Sequence, residues 1–86
     1  MNDNKVAIVT GGSGGIGRAV ALRLAHSGFA VVVNYAGNAA KAEGVVEEIK
    51  SAGGHAIAVQ ADVADAAEVA HLFKKTVDTF DRIGGE

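Results

Sequence analysis

Three short apolar runs, each followed by glycine or polar residues, predict three β-strands. They cover residues 5–10, 30–33 and 55–60. The second run is apolar at every position, and a strand without polar alternation is typical of a parallel sheet that is covered on both faces. The pattern therefore favours a buried parallel sheet.

A helix is predicted after each strand. In the first helix, over residues 16–27, the apolar residues Ile16, Val20 and Leu24 lie four positions apart, which is the spacing of one helix face. The second helix is predicted over residues 39–52. Its apolar stripe is expected to consist of Ala42, Val45, Val46 and Ile49.

Residues at the helix ends support these limits. Asn38 is the expected N-cap of the second helix, because its side-chain oxygen can accept from a first-turn amide. Gly28 and the Gly53-Gly54 pair suit the helix ends. A third helix is predicted to start at Asp65, with Glu68 at capping-box spacing. Its apolar stripe is expected to contain Val69, Leu72, Phe73, Thr76, Val77 and Phe80.

This order of elements predicts the fold class. Strands that alternate with helices form βαβ units with right-handed crossovers and a parallel sheet. We predict an α/β fold, in which residues 1–86 form one β-α-β-α-β-α unit, the first half of a doubly wound nucleotide-binding domain. In such a sheet the second and third strands lie on one side of the first, and a fourth lies on its other side.

Composition excludes several classes of function. The 86 residues include 8 basic and 10 acidic side chains, for a net charge of −2, and neither sign is clustered, which argues against a nucleic-acid or polybasic membrane surface. The chain has no cysteine and three scattered histidines, so no metal site is expected. No signal peptide is recognised, and no apolar run approaches the roughly 20 residues of a membrane span. A cytoplasmic location is expected.

Five of the 12 glycines fall within residues 11–17, between the first strand and the first helix. The segment contains G-x-G-x-x-G and also T-G-x-x-x-G-x-G. In this context glycines permit a tight turn and a close backbone approach to a pyrophosphate, while the helix dipole favours negative charge. The predicted phosphate-binding residues are Gly11, Gly14, Gly15, Ile16 and Gly17.

Two other interpretations of the glycine cluster are weaker. A turn required for packing alone seldom needs five glycines in seven positions. A Walker-type phosphate loop requires Lys and then Ser or Thr after its last glycine, whereas Gly17 is followed by Arg18 and Ala19. The cluster is therefore interpreted as a dinucleotide-binding loop.

The end of the second strand bears on the choice of cofactor. An acidic residue that binds the ribose 2′-hydroxyl is expected there, but the chain has Asn34, followed by Tyr35 and Ala36. An asparagine does not repel a 2′-phosphate and can donate to it, and Ser13, Tyr35 and Asn38 add donors nearby. NADP(H) is favoured over NAD(H). The alternative is that the strand simply ends here, with Tyr35 packed over the sheet edge.

Asp62 and Val63 follow the third strand, at the same edge of the predicted sheet as the glycine loop. The carboxylate can accept from an adenine amino group while Val63 covers the ring. The alternative is that Asp62 braces the loop before the third helix.

These residues resemble the N-terminal part of the short-chain dehydrogenase/reductase family. The shared pieces are Thr10-Gly11 with Gly15-Ile16-Gly17, the strand end at residues 31–36, and Ala61-Asp62-Val63. They are most similar to the NADPH-using branch that includes 3-oxoacyl carrier-protein reductases. The resemblance implies a Rossmann fold and a usually tetrameric enzyme that transfers hydride between carbonyl and alcohol substrates.

The chain departs from the family pattern in two places. In that branch an arginine commonly stands at the position of Gly14 and helps to hold the 2′-phosphate. The family's catalytic Ser, Tyr-x-x-x-Lys pair and Asn have no counterpart in these residues, and the only tyrosine, Tyr35, has Ala39 four residues on. We therefore expect the cofactor half of a reductase, truncated relative to the family, with no catalytic residue, inactive alone and oligomeric. The alternative is a non-catalytic nucleotide-binding or assembly module.

Overall fold

The computed structural model describes residues 5–11 and 14–84, and the side chains up to residue 80 within these ranges. It contains the three strands and three helices that the sequence predicts, in the predicted order, with limits that differ by one or two residues. The elements are β1 Val6–Thr10, α1 Gly15–His26, β2 Ala30–Tyr35, α2 Ala39–Ser51, β3 His55–Gln60 and α3 Ala66–Gly84.

The three strands form one parallel sheet in the order β1-β2-β3. Val6 is paired with Ala30, and Ala30 with His55, so the strands run in step from their amino ends. Their carboxyl ends consequently meet at one edge. Within the described residues β1 is paired on one side only, as expected for half of a doubly wound sheet.

Helices cover both faces of the sheet. On one face, α1 and α2 pack against the odd-numbered residues of β2, Val31 and Val33, together with Ala56. On the other face, α3 packs Leu72 and Phe80 against a cluster that includes Val32. Val31, Val32 and Val33 are fully buried, which explains why this strand shows no polar alternation.

Two apolar stripes differ from the prediction. In α1, Ile16 and Val20 are 84% and 44% exposed, whereas Ala21 is completely buried. The small side chain of Ala21 lets the helix backbone approach the sheet, so the neighbouring line of residues faces inward. In α3, Phe73 and Val77 are exposed, because the apolar stripe is wider than the surface that the sheet offers.

The first two helices end as their glycines predict. Gly28 and Gly53 have φ of 98° and 90°, values that side chains disfavour. At the end of α1, the Phe29 amide donates to the Leu24 carbonyl, and at the end of α2 the Gly54 amide donates to the Ile49 carbonyl. These bonds define a Schellman motif at both helix ends, both at the amino edge of the sheet.

No helix in the described part of the chain is both long enough and apolar enough to cross a bilayer.

Candidate nucleotide-binding site

The residues predicted to bind a nucleotide come from three connections at the carboxyl edge of the sheet. The β1–α1 connection supplies the glycine loop, the end of β2 supplies Asn34 and Tyr35, and the β3–α3 connection supplies Asp62 and Val63. In open α/β sheets this edge is where ligands bind. Two residues of the predicted loop lie outside the described residues: Gly12, which belongs to the G-x-G-x-x-G motif, and Ser13, which is a predicted donor.

The described part of the glycine loop makes a tight turn from β1 into α1. Gly11 has φ of 66°, a left-handed conformation that suits glycine, and its carbonyl accepts from the Gly14 amide at 3.1 Å. Gly14 is the N-cap residue, and its carbonyl accepts the first helical hydrogen bond, from the Arg18 amide, at 2.7 Å. The loop therefore delivers the start of α1 directly to the edge of the sheet.

The amino end of α1 has the properties of an anion receptor. Among the described residues no side chain caps it, and its first turn contains no acidic residue. Gly14, Gly15 and Ile16 are exposed, and the helix dipole adds positive potential at this end of the helix. A Cβ atom built on Gly15 would meet no atom within 4 Å. Packing within the described chain does not require glycine there, and the open space can accept a ligand.

The other two helices begin differently. Asn38 Oδ1 accepts from the Lys41 amide at 3.1 Å, which confirms the predicted cap of α2. Asp65 Oδ1 accepts from the amides of Ala67 and Glu68 at the start of α3. In these two helices a side chain already occupies the place that an anion would take.

Asn34 is buried, with 3% of its surface exposed. Its Nδ2 atom donates to the backbone carbonyls of Val59 and Ala61, at 3.3 and 3.1 Å. From the sequence, this amide is expected to donate to a phosphate, and that contact stays a prediction. In the structure, the amide nitrogen instead points to the carbonyl of Val59 in β3 and to that of Ala61, the residue after β3.

The residues that follow Asn34 are more accessible. Tyr35 is half-buried and packs against the cluster beneath α1 and α2, while Ala36 and Asn38 are exposed. Gln60 Nε2 donates to the Ala36 carbonyl at 3.0 Å. The exposed surface at this strand end therefore begins after Asn34.

Asp62 braces the β3–α3 connection. Its Oδ1 atom accepts from the Ala64 amide at 2.9 Å, and its own amide donates to Glu68 Oε1 at 2.7 Å. The expected capping box is therefore only half formed: Asp65 caps α3, but Glu68 reaches the Asp62 amide, where a capping box would use that of Asp65. A carboxylate has further acceptor positions, so the brace leaves Asp62 able to accept from an adenine.

Val63 lies next to Asp62 and is 52% exposed. Ile16, at the start of α1, is 84% exposed. Val63 in the β3–α3 connection and Ile16 in the first turn of α1 both lie at the carboxyl edge of the sheet, where a ligand ring or ribose could cover them. In the described residues, no group of three or more acidic or histidine side chains is arranged to hold a metal ion.

The ion pair between Arg18 and Glu48 was not predicted from the sequence. The guanidinium binds the carboxylate through two hydrogen bonds of 2.7 Å and one of 3.1 Å, and so ties α1 to α2. The sequence signal for this pair was the opposite charge of two residues on α1 and α2, which cover the same face of the sheet. The pairing directs this arginine towards α2.

Three parallel strands, a glycine turn and an open helix amino end at the carboxyl edge define a nucleotide-binding Rossmann half. Comparison with known proteins identifies the family. The short chain dehydrogenase family model matches residues 5–85, and the chain belongs to this family of oxidoreductases.

Individual relatives agree with this assignment. The chain is 55% identical over 80 residues to the 3-oxoacyl-[acyl-carrier-protein] reductase FabG of Staphylococcus aureus, covering 93% of this chain and 32% of the relative. It is 58% identical over 79 residues to the 3-oxoacyl-[acyl-carrier-protein] reductase of Synechocystis, covering 92% and 32%. The chain thus spans about a third of the length of these curated relatives.

Solved structures show the same relationship. A dehydrogenase/reductase from Sinorhizobium meliloti superimposes with a TM-score of 0.86 at 45% identity, covering 92% of this chain and 32% of that chain. A hydroxysteroid dehydrogenase from Escherichia coli gives 0.86 at 37% identity, covering 92% and 33%. The predicted fold class is confirmed.

Proposed function

We propose that this chain is the cofactor-binding part of an NADP(H)-dependent reductase that interconverts a carbonyl and an alcohol. The observation that carries the proposal is the amino end of α1 at the carboxyl edge of the sheet, where no described side chain caps the helix and the space at Gly15 is open. These features fit a pyrophosphate, whose negative charge the helix dipole favours.

The residues of the chain have separate roles in this proposal. The amides of Gly15, Ile16 and Gly17 hold the phosphates. Gly11, whose carbonyl accepts from the Gly14 amide, makes the turn that presents them. Asp62 accepts from the adenine, and Val63 covers the ring. A bound nicotinamide dinucleotide supplies the hydride, and the described residues position its adenosine and phosphate end.

The preference for NADP(H) is supported by charge. Residues 34–38 contain no acidic side chain, so nothing at this strand end repels a 2′-phosphate in the way that an aspartate would. Tyr35 and Asn38 add polar groups there. Ser13, outside the described residues, remains a predicted donor.

Binding without turnover is expected of these 86 residues. The chain lacks a Tyr-x-x-x-Lys pair, and a reductase of this kind needs an acid near the carbonyl oxygen. Calorimetric titration with NADPH should show binding, and incubation with NADPH and a 3-oxoacyl thioester should show no oxidation above background. Absence of NADPH binding would refute the proposed function, while turnover that a Gly15→Val change abolishes would refute the inactivity.

The names of the relatives support a substrate class. Relatives at 55% and 58% identity act on 3-oxoacyl-[acyl-carrier-protein], so we propose a 3-oxoacyl thioester as the substrate of the whole enzyme. The cytoplasmic location expected from the sequence stays a prediction.

We also propose that the chain self-associates. Within the described residues β1 is paired on one side only, and the backbone groups of such an edge tend to pair with another chain. Val20 on α1 is 44% exposed. Sedimentation at micromolar concentration should give a species larger than 8.6 kDa. A cooperatively unfolding monomer would contradict this.

A further inference from the structure

The hydrogen bonds of Asn34 suggest a role that differs from nucleotide contact. This side chain is buried at the carboxyl end of β2. Its Nδ2 atom donates to the carbonyl of Val59 in β3 and to that of Ala61 in the β3–α3 connection. The orientation of the amide is fixed by its partners, because a carbonyl oxygen can only accept. Both hydrogens of the amide nitrogen are needed for the two carbonyls.

We infer that Asn34 is a positioning residue that clamps the end of β2 to the β3–α3 connection and thereby places Asp62 at the nucleotide edge. Ala61, one of its two acceptors, directly precedes Asp62. The Tyr35 carbonyl accepts from the Ala61 amide at 3.0 Å, so both backbone polar groups of Ala61 are bound to β2. The exposed residues that follow Asn34 would then recognise the ribose 2′-substituent.

This role explains why the position carries an amide. A carboxylate has the same shape, but it offers no donor when ionised, and it would face two carbonyl oxygens in a buried site. The introduced carboxyl of an Asn34→Asp variant should therefore have a raised pKa in the folded state, because burial and the facing acceptors disfavour its charge.

The titratable groups near position 34 also favour a raised pKa of the introduced carboxyl. β1 contributes no titratable side chain, and the inward residues of α3, Leu72, Thr76 and Phe80, contribute none. Asp62 in the β3–α3 connection and Glu68 in the first turn of α3 are both acidic. They oppose a further negative charge, and the described side chains named here include no cation that would compensate the introduced carboxylate.

Unfolding by urea without any nucleotide tests the clamp. At pH 8 the folding equilibrium constant of Asn34→Asp should fall by about tenfold or more, because two buried acceptors lose their donor. A raised folded pKa means that this loss shrinks as pH falls towards the unfolded pKa of about 3.9, by up to tenfold per pH unit. Asn34→Leu, which cannot be protonated, should show a loss that is equal at pH 8 and pH 5.

Equal stability of Asn34→Asp and wild type at pH 8, or a loss that does not change with pH, would overturn the clamp. If Asn34→Asp does not fold at pH 8, hydrogen exchange in the wild-type chain tests the clamp instead. Its Asn34 side-chain amide signals in ¹⁵N NMR should exchange slowly with solvent in the absence of nucleotide. Rapid exchange would show that the hydrogens are not held by β3.

That Asn34 does not contact the ribose 2′-substituent is an inference that rests on the proposed function. Nucleotide titration tests it separately from the clamp. The Asn34 amide signals should shift equally with adenosine 5′-monophosphate and with adenosine 2′,5′-bisphosphate, because the amide does not contact the 2′-position. A shift specific to the bisphosphate would show that Asn34 binds the 2′-phosphate directly. If neither nucleotide binds the wild type, the proposed function fails, while the unfolding and exchange experiments still judge the clamp.

Discussion

The two edges of the sheet use glycine for different reasons. At the carboxyl edge, a Cβ on Gly15 would meet no atom within 4 Å. At the amino edge, a Cβ on Gly54 would lie 2.8 Å from Ile49 Cγ2 and 3.3 Å from the Ile49 carbonyl, and Ile49 is itself almost completely buried. The space beside Gly15 is thus open, as the proposed phosphate site requires, whereas the space beside Gly54 is filled by the protein.

The largest effect is expected for Gly15→Val. Its side chain would occupy the space proposed for the pyrophosphate, and the loss of two charge-assisted hydrogen bonds, about 3 kcal/mol together, corresponds to about 100-fold weaker NADPH binding. The matched control is Gly44→Val in α2, another exposed helical glycine with no atom within 4 Å of its Cβ. Calorimetry that finds wild-type affinity in Gly15→Val would break the distinction between the two edges.

Gly54→Ala should show the opposite behaviour. Because the buried Ile49 cannot move freely, the added methyl group should lower the free energy of unfolding by about 2 kcal/mol, and NADPH affinity should be unchanged where the chain is folded. Gly44→Ala, the same change in open helix surface, should instead stabilise by about 0.5–1 kcal/mol. Urea unfolding compares the two, and an equal or raised stability of Gly54→Ala would contradict tight packing at the amino edge.

Gly14→Arg is expected to have the smallest effect, a gain of function at the carboxyl edge. The backbone at Gly14, with φ of −80° and ψ of 171°, accepts any residue, and its Cβ would contact the Gly11 carbonyl at an ordinary 3.6 Å. A guanidinium here should tighten adenosine 2′,5′-bisphosphate binding by roughly tenfold, about 1.4 kcal/mol.

The gain from Gly14→Arg should weaken in high salt, since it is electrostatic. Adenosine 5′-monophosphate should bind unchanged, and Gly14→Gln should give no comparable gain. An equal gain for both nucleotides would place the introduced charge near the 5′-phosphate.

The sequence predicted the features that depend on nearby residues. The Asn38 cap joins residues three apart, and the glycine ends of α1 and α2 form within a few residues of each helix. Strand and helix limits follow from local periodicity in the same way. The glycine loop was recognisable because its motif lies between a strand and a helix.

Features that depend on distant partners were missed. Both acceptors of Asn34 lie more than 20 residues along the chain, so nothing near Asn34 indicated that its amide would be used inside the sheet. In α1, two lines of apolar residues could have faced the sheet. Only packing against the sheet and α2 determines that Ala21 faces inward. Glu68 had two amides within reach, and the turn at Asp62 determined which one it binds.

The strand order has a consequence for folding during synthesis. Each strand pairs with the strand next to it in the sequence: β1 with β2, and β2 with β3. As the chain leaves the ribosome, β2 can dock on β1 with α1 before β3 has been translated, and β3 then adds to an existing template. Folding from the N-terminus is the usual direction on the ribosome. The bonds from Asn34 to Val59 and Ala61 therefore form last among the strand contacts, when the third strand arrives and completes the nucleotide edge.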